Sequence, residues 1–107
     1  MSRRAARVDS NHGAIKAAFA QLGCWTLDLS RVGSGCPDLL VMSQATKRML
    51  LVEVKDGEKV PSAQALTPDQ VRFHREWQGA VRIVTSIDDA AKVVAELRTG
   101  YLNGQPT

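Results

Sequence analysis

Three ionisable residues in this chain, Asp38, Glu53 and Lys55, have types and a spacing that could support phosphodiester chemistry. Side chains in a strand alternate between its two faces, so Glu53 and Lys55 would point the same way while Val52 and Val54 point into a core. Asp38 starts another apolar segment and would join the same face in a paired strand. The sequence therefore predicts two carboxylates and a lysine close together.

The register of a hairpin decides whether the two carboxylates meet. If its turn centres between Ala45 and Thr46, Asp38 lies directly opposite Glu53. Directly opposed residues have Cβ atoms roughly 4.5–5.5 Å apart, so both carboxylates could reach one cation. A shift by one residue, or a β-bulge, would change this arrangement.

Paired carboxylates and a lysine suit metal-assisted phosphodiester hydrolysis. Two carboxylates on one face repel unless a cation or a proton lies between them. Oxygen ligands completed by water suit Mg²⁺ or Mn²⁺ rather than zinc, and Lys55 could orient the attacking water or stabilise developing negative charge. The alternative is that these charges only solvate an exposed sheet face, and the spacing alone favours that simpler explanation.

Hydrophobic periodicity predicts the elements that position these residues. The order is α-β-β-β-α-β-α, which is an α/β fold with a mixed sheet flanked by helices. The short gap between the second and third strands predicts an antiparallel hairpin, and residues 58–66 read as a polar loop. The predicted helices cover residues 13–22, 67–78 and 87–99, and the predicted strands cover residues 24–29, 38–43, 48–55 and 80–85.

Local signals predict where the helices begin and end. Thr67-Pro68-Asp69-Gln70 has the order of a capping box with proline in the first turn. Ser10 or Asn11 could cap the first helix, and Gly23 suits a left-handed residue after its end. Gly100 is expected to end the last helix. Its apolar stripe is predicted to contain Ile87, Ala90, Ala91, Val94 and Leu97.

Composition indicates one ordinary globular domain. The chain has 107 residues, which we divide into a basic N-terminal arm (1–10), a domain (11–100) and a C-terminal tail (101–107). A net charge of +3 permits a polyanionic partner without requiring one. No apolar stretch is long enough to cross a bilayer, and no secretory signal follows the basic start, so we expect no membrane association and a cytoplasmic location.

Three segments carry a resemblance to a known family. Gly35-Cys36-Pro37-Asp38, Leu50 to Gly57 with Glu53-Val54-Lys55 inside it, and Leu66 to Gln70 resemble the VRR-NUC branch of the PD-(D/E)xK nucleases, in particular its small stand-alone phage members. The resemblance extends from Val8 to about Ala95. It implies a restriction-endonuclease-like core, Mg²⁺ or Mn²⁺ as cofactor, and a phage or prophage protein in a bacterial host.

The resemblance also implies roles for individual residues. Asp38, Glu53 and the backbone carbonyl of Val54 would be metal ligands, and Lys55 would be the catalytic lysine. Gln70 matches a downstream glutamine that contributes to the site, although its position also suits a helix cap.

One departure concerns the first helix. Such nucleases often carry a glutamate there, and Ala14 is the matching place in this chain, which puts a second metal in doubt. Arg31, Ser34 and Lys59 are our choices for DNA contacts, because they lie in loops expected to flank the site. His12 and His74 are expected to be surface or helix-face histidines.

The predicted function is that of a metal-dependent endonuclease that cuts DNA, selective for branched structures such as Holliday junctions. Because one site cuts one strand, symmetric cleavage predicts a homodimer. Two alternatives stay open. One is a nucleic-acid-binding module with an impaired site, which the alanine at position 14 suggests. The other is a restriction-like or RNA-directed nuclease on the same fold.

Overall fold

A computed structural model describes residues 10–99, 101–102 and 105–106. The predicted order of elements and the mixed sheet are confirmed, while Gly100 and most of the basic arm lie outside the described residues. A short helix replaces part of the polar loop, and two short strands pair in the predicted tail. The elements are α1 (His12–Gln21), β1 (Cys24–Asp28), β2 (Leu39–Ser43), β3 (Met49–Val54), α2 (Pro61–Gln64), α3 (Pro68–Glu76), β4 (Val81–Val84), α4 (Ile87–Thr99), β5 (Tyr101–Leu102) and β6 (Gln105–Pro106).

The main sheet has the strand order β1-β2-β3-β4. Strands β2 and β3 form the predicted antiparallel hairpin, with Leu39 opposite Val52 and Leu40 opposite Leu51. This register is the one that a turn centred between positions 45 and 46 produces, so the predicted register is confirmed. Strand β4 returns parallel to β3 after α3, which makes the sheet mixed.

Helices α1 and α4 cover one face of the sheet and close the core against it. The predicted stripe of α4 is right for Ala90, Val94 and Leu97, but Ile87 is 57% exposed and Ala91 is also exposed. Val93 is buried instead, because residues 90, 93, 94 and 97 follow the i, i+3, i+4, i+7 spacing of a single face. Ile87, at the start of α4, therefore lies outside the core.

The opposite face of the sheet is apolar but largely open. Trp25, Leu27 and Met49 are each exposed by more than two fifths of their surface. Together with Leu40 and Met42, Trp25 and Met49 line a shallow cavity of about 510 Å³. Among the described helices, none is long and apolar enough to span a membrane.

Asn11 occupies the predicted N-cap position of α1, but its side chain makes no capping hydrogen bond because it is engaged in tertiary contacts. The Asn11 side-chain amide donates to the carbonyls of Lys55 (3.1 Å) and Thr85 (3.2 Å), at the ends of β3 and β4. Ser10 donates from its hydroxyl to the Asp56 carboxylate at 2.6 Å. Gly23 adopts the predicted left-handed conformation, with φ of +88°. Asn11 thus joins the start of α1 to the strand ends beside the predicted site.

Candidate active site

Pro37 and Asp38 alter the ladder where β2 begins. Because Val52 lies opposite Leu39, the next residue on the same edge of β3, Val54, faces Pro37. Proline has no N–H to donate to the Val54 carbonyl. On the other side of that residue, the Val54 N–H donates to Asp38 Oδ2 at 2.8 Å. The Asp38 carboxylate is therefore held against β3, next to a backbone carbonyl that Pro37 cannot use.

Two carboxyl groups are enclosed together at this position. Asp38 is 8% exposed and Glu53 is 2% exposed. Burial raises the pKa of Asp38, and the hydrogen bond from Val54 together with the contact with Glu53 opposes that rise only in part. A neighbouring pair of buried carboxyl groups is stabilised by a proton or by a cation. The site thus has the electrostatics of a cation-binding centre.

The Gln70 side chain connects Lys55 with Glu53. Lys55 Nζ donates to Gln70 Oε1 at 3.0 Å, and Gln70 Nε2 donates to Glu53 Oε2 at 3.0 Å. Lys55 Nζ also lies 3.9 Å from Glu53 Oε2, with both side chains almost fully buried. The structure therefore brings Asp38, Glu53, Lys55 and Gln70 into one cluster.

The same glutamine closes the predicted capping box of α3. Its backbone N–H donates to Thr67 Oγ1 at 3.2 Å, and its Oε1 accepts from the Thr67 N–H at 2.9 Å. The sequence left open whether Gln70 caps the helix or belongs to the site. In the structure it does both, because the N-terminus of α3 faces Glu53 and Lys55.

The residues present fit a hard divalent cation. Within residues 10–99, 101–102 and 105–106, no group of three or more His, Cys, Asp and Glu side chains is arranged to hold a metal. The available donors are two carboxylates and the Val54 carbonyl, which are oxygen ligands of the kind that Mg²⁺ and Mn²⁺ accept together with water. Burial, followed by the charges of Glu53 and Asp38, raises the pKa of the Cys36 thiol. A protonated thiol is a poor zinc ligand.

The three loop residues predicted to contact DNA are all exposed. Arg31 and Ser34 lie in the loop that precedes Asp38, where Ser34 has a left-handed φ of 57°. Lys59 lies beyond β3, and its backbone N–H donates to the Asp56 carbonyl at 3.1 Å. These positions leave all three side chains accessible to a partner.

The first helix contributes a residue that the sequence analysis missed. His12 is 8% exposed rather than superficial, and its enclosed Nε2 has no hydrogen-bond partner among the described residues. An electrostatic interaction with His12 contributes to lowering the pKa of Asp38 against the effect of burial. Ala14 is exposed instead, in a groove that it shares with Asp56 and Thr85. The residues next to His12 in the sequence form no pattern that would have predicted its burial.

His74 is a second histidine close to the cluster. Its Nε2 is enclosed and has no partner among the described residues, although the side chain as a whole is only half-buried. Burial lowers the pKa of His74, and the nearby charge of Lys55 lowers it further. The available sequence signal was its spacing of four residues from Gln70, which places both on one face of α3.

Comparisons with known proteins agree with this geometry. The model of the VRR-NUC domain family matches residues 2–84. A solved structure described as "VRR_NUC domain" is 32% identical in sequence, with a TM-score of 0.57. That match covers 78% of this chain and 89% of the solved one. No curated protein matches the chain.

Proposed function

The chain belongs to the VRR-NUC family of nucleases, and from that membership we propose that it is a divalent-metal-dependent endonuclease acting on branched DNA such as four-way junctions. The observation that supports the proposal is the buried cluster of Asp38, Glu53 and Lys55 bridged by Gln70. An exposed sheet face that merely needed solvation would not bury these charges, because burial without a partner is costly.

Asp38, Glu53 and the Val54 carbonyl would hold one Mg²⁺ or Mn²⁺. When bound, the ion neutralises the paired carboxylates, polarises a phosphate and acidifies a water molecule. Lys55 donates to Gln70 and lies 3.9 Å from Glu53, so its ammonium group is fixed where it can orient water or stabilise negative charge on the phosphate. Gln70 keeps Glu53 and Lys55 at their relative positions.

Exposed basic and polar loop residues would contact the DNA backbone. Arg31, Ser34 and Lys59 are our candidates, and the net charge of +3 favours a polyanion. Phosphate contacts release counterions, so binding should weaken steeply as salt concentration rises. A short chain has little surface for reading a long sequence, which favours recognition of DNA structure.

The deciding experiment compares cleavage of a labelled four-way junction with cleavage of a matched linear duplex, in Mg²⁺ and in Mn²⁺. We expect the junction to be cut faster, and Lys55→Ala to reduce cutting by about a hundredfold or more while junction binding persists. Lys92→Ala removes an exposed lysine of α4 and serves as the charge-matched control. Equal cutting by wild type and Lys55→Ala would contradict the assigned site.

The remaining alternatives predict different results. A binding module with an impaired site would bind the junction equally well in EDTA and cut nothing with either metal. A restriction-like enzyme would cut a linear duplex at a defined sequence, and an RNA-directed enzyme would prefer RNA. The cytoplasmic location and the phage or prophage origin stay predictions that come from the family resemblance.

We expect a homodimer, because one active site cuts one strand and a symmetric junction cut requires two. Light scattering with and without junction DNA measures this directly. A single chain in both conditions would contradict the proposal of a homodimer and leave the nuclease proposal standing.

A further inference from the structure

Helix α3 carries Gln70 into the site without being anchored in the core. None of its described residues is buried, whereas α1 and α4 each bury several. The hydrogen bonds of the Gln70 side chain join this helix to Glu53 and Lys55. A helix attached in this way can shift without unfolding the sheet.

Gly35 makes the closest backbone approach to that helix. A Cβ atom placed on Gly35 would lie 2.5 Å from the Asp69 carbonyl carbon and 2.9 Å from the Gln70 nitrogen, and it would also meet the Asp69 carbonyl oxygen. These atoms belong to backbone and cannot rotate away as a side chain could. The loop before Asp38 therefore packs directly on the first turn of α3, at the residue that bridges Glu53 and Lys55.

We propose that Gly35 is a positioning residue of the active site, because its bare backbone sets the distance at which Gln70 meets Glu53 and Lys55. Any side chain at this position pushes the first turn of α3 outwards. The Gln70 hydrogen bonds, each 3.0 Å long, would then lengthen together. Lys55 would lose its fixed orientation while the metal ligands Asp38 and Glu53 stay on the sheet.

Gly33 provides a matched control within the same loop. Its φ is +77° and that of Gly35 is +81°, so alanine at either position meets a similar left-handed strain. Nothing in the described structure lies within 4 Å of a Cβ atom placed on Gly33. The two substitutions therefore differ in whether they displace α3.

The inference depends on the proposed nuclease function for its activity measurement, so the experiment includes a structural measurement as well. Gly33→Ala, Gly35→Ala, Gln70→Ala and the double variant Gly35→Ala with Gln70→Ala are compared in junction cleavage. Nuclear magnetic resonance of the Gln70 side-chain amide and of the core amides is recorded for wild type and both glycine variants.

We expect Gly35→Ala to slow cleavage between about tenfold and about a hundredfold at saturating metal, with junction binding retained and the Gln70 side-chain resonance shifted. Gly33→Ala should leave that resonance in place. In the Gln70→Ala background, Gly35→Ala should change the rate less than about twofold, because both act through one interaction.

Three results would overturn the proposal. They are an unmoved Gln70 resonance in Gly35→Ala, losses that multiply in the double variant, and a loss of core amide dispersion showing that Gly35 supports the fold rather than α3. If wild type fails to cut any substrate, the nuclease proposal is wrong, while the resonance comparison still tests the position of Gln70.

Discussion

Helices α3 and α4 both begin at a capped residue, yet they attach to the sheet by different means. Helix α4 starts at Ser86, whose hydroxyl accepts from the Asp89 N–H at 3.1 Å, and it buries four residues against the core. Helix α3 starts at Thr67 with a full capping box, and none of its described residues is buried. The Gln70 side chain links it to Glu53 and Lys55 on the β3 side of the site.

This difference separates stability from the arrangement of the site. Burial of apolar surface contributes to the free energy of the whole fold, so α4 is part of the globally cooperative unit. Helix α3 has few buried apolar contacts, and elements of that kind open locally at low cost. Gln70, which bridges Glu53 and Lys55, therefore lies on the helix that buries none of its described residues.

The largest expected effect is on the free energy of unfolding and comes from a substitution in α4. Leu97→Ala, at a fully buried position of α4, should lower the free energy of unfolding by about 3 kcal/mol through lost burial and a cavity. Val71→Ala on α3, where the side chain is 47% exposed, should change it by less than about 0.5 kcal/mol. Urea unfolding measures both, and equal losses would contradict the contrast.

Removing the buried carboxyl group of Asp38 should increase the free energy of unfolding, whereas Leu97→Ala decreases it. Burial raises the pKa of Asp38, so the folded state holds a proton more tightly than the unfolded state, and its contribution to stability is lost as pH rises through the raised pKa. At neutral pH in EDTA, Asp38→Asn should therefore raise the free energy of unfolding. Asparagine can still accept from the Val54 N–H. Urea unfolding that showed a loss of stability would refute this, and cleavage should vanish in the same variant.

Substitutions of the two N-cap residues should distinguish local opening of α3 from unfolding of the whole protein. Thr67→Ala removes the acceptor of the Gln70 N–H and should destabilise α3 by about 1 kcal/mol. Because α3 buries none of its described residues, we expect it to open locally, so hydrogen exchange of its amides should accelerate by about fivefold while the urea midpoint stays unchanged. Ser86→Ala is the matched control, and it should lower the midpoint itself. If both variants lowered the urea midpoint equally, α3 would not open independently of the rest of the fold.

The smallest expected effect is a pH dependence at His74. Burial, and then Lys55, lower the pKa of this histidine from 6.5, so its contribution to stability is present above that value and is lost as pH falls through the lowered pKa. Wild type should therefore lose stability on acidification from about pH 7 to about pH 5.5 more steeply than His74→Gln. Thermal unfolding at both values gives the comparison. Parallel losses would show that His74 does not contribute.

The hairpin and the start of α3 could be predicted from sequence because local chemistry determines them. A turn assumed to centre between positions 45 and 46 gave the register that β2 and β3 adopt, and Thr67 with Gln70 at the proper spacing specified the cap. The α4 stripe failed at Ile87, because periodicity alone does not reveal where the edge of the sheet ends the core.

Long-range partners accounted for the other misses. The Asn11 side chain bonds to carbonyls at Lys55 and Thr85, more than forty residues away in sequence, so no local pattern could reveal it. The burial of His12 likewise depends on how α1 meets the strand ends. Resemblance suggested that Gln70 contributes to the site, whereas the bridge that it forms between Glu53 and Lys55 required the structure.

One of the two tryptophans of the chain lies on the sheet and the other at the end of α3. Trp25 lies on the open face of β1, and Trp77 follows α3, where it stacks on Phe73 with ring centroids 5.8 Å apart. Indole emission responds to the polarity around the ring, so the sheet and the helix at the site each have an intrinsic fluorophore. A Trp25→Phe protein would report on the helix at the site through Trp77 alone, and a Trp77→Phe protein would report on the sheet, without any added dye.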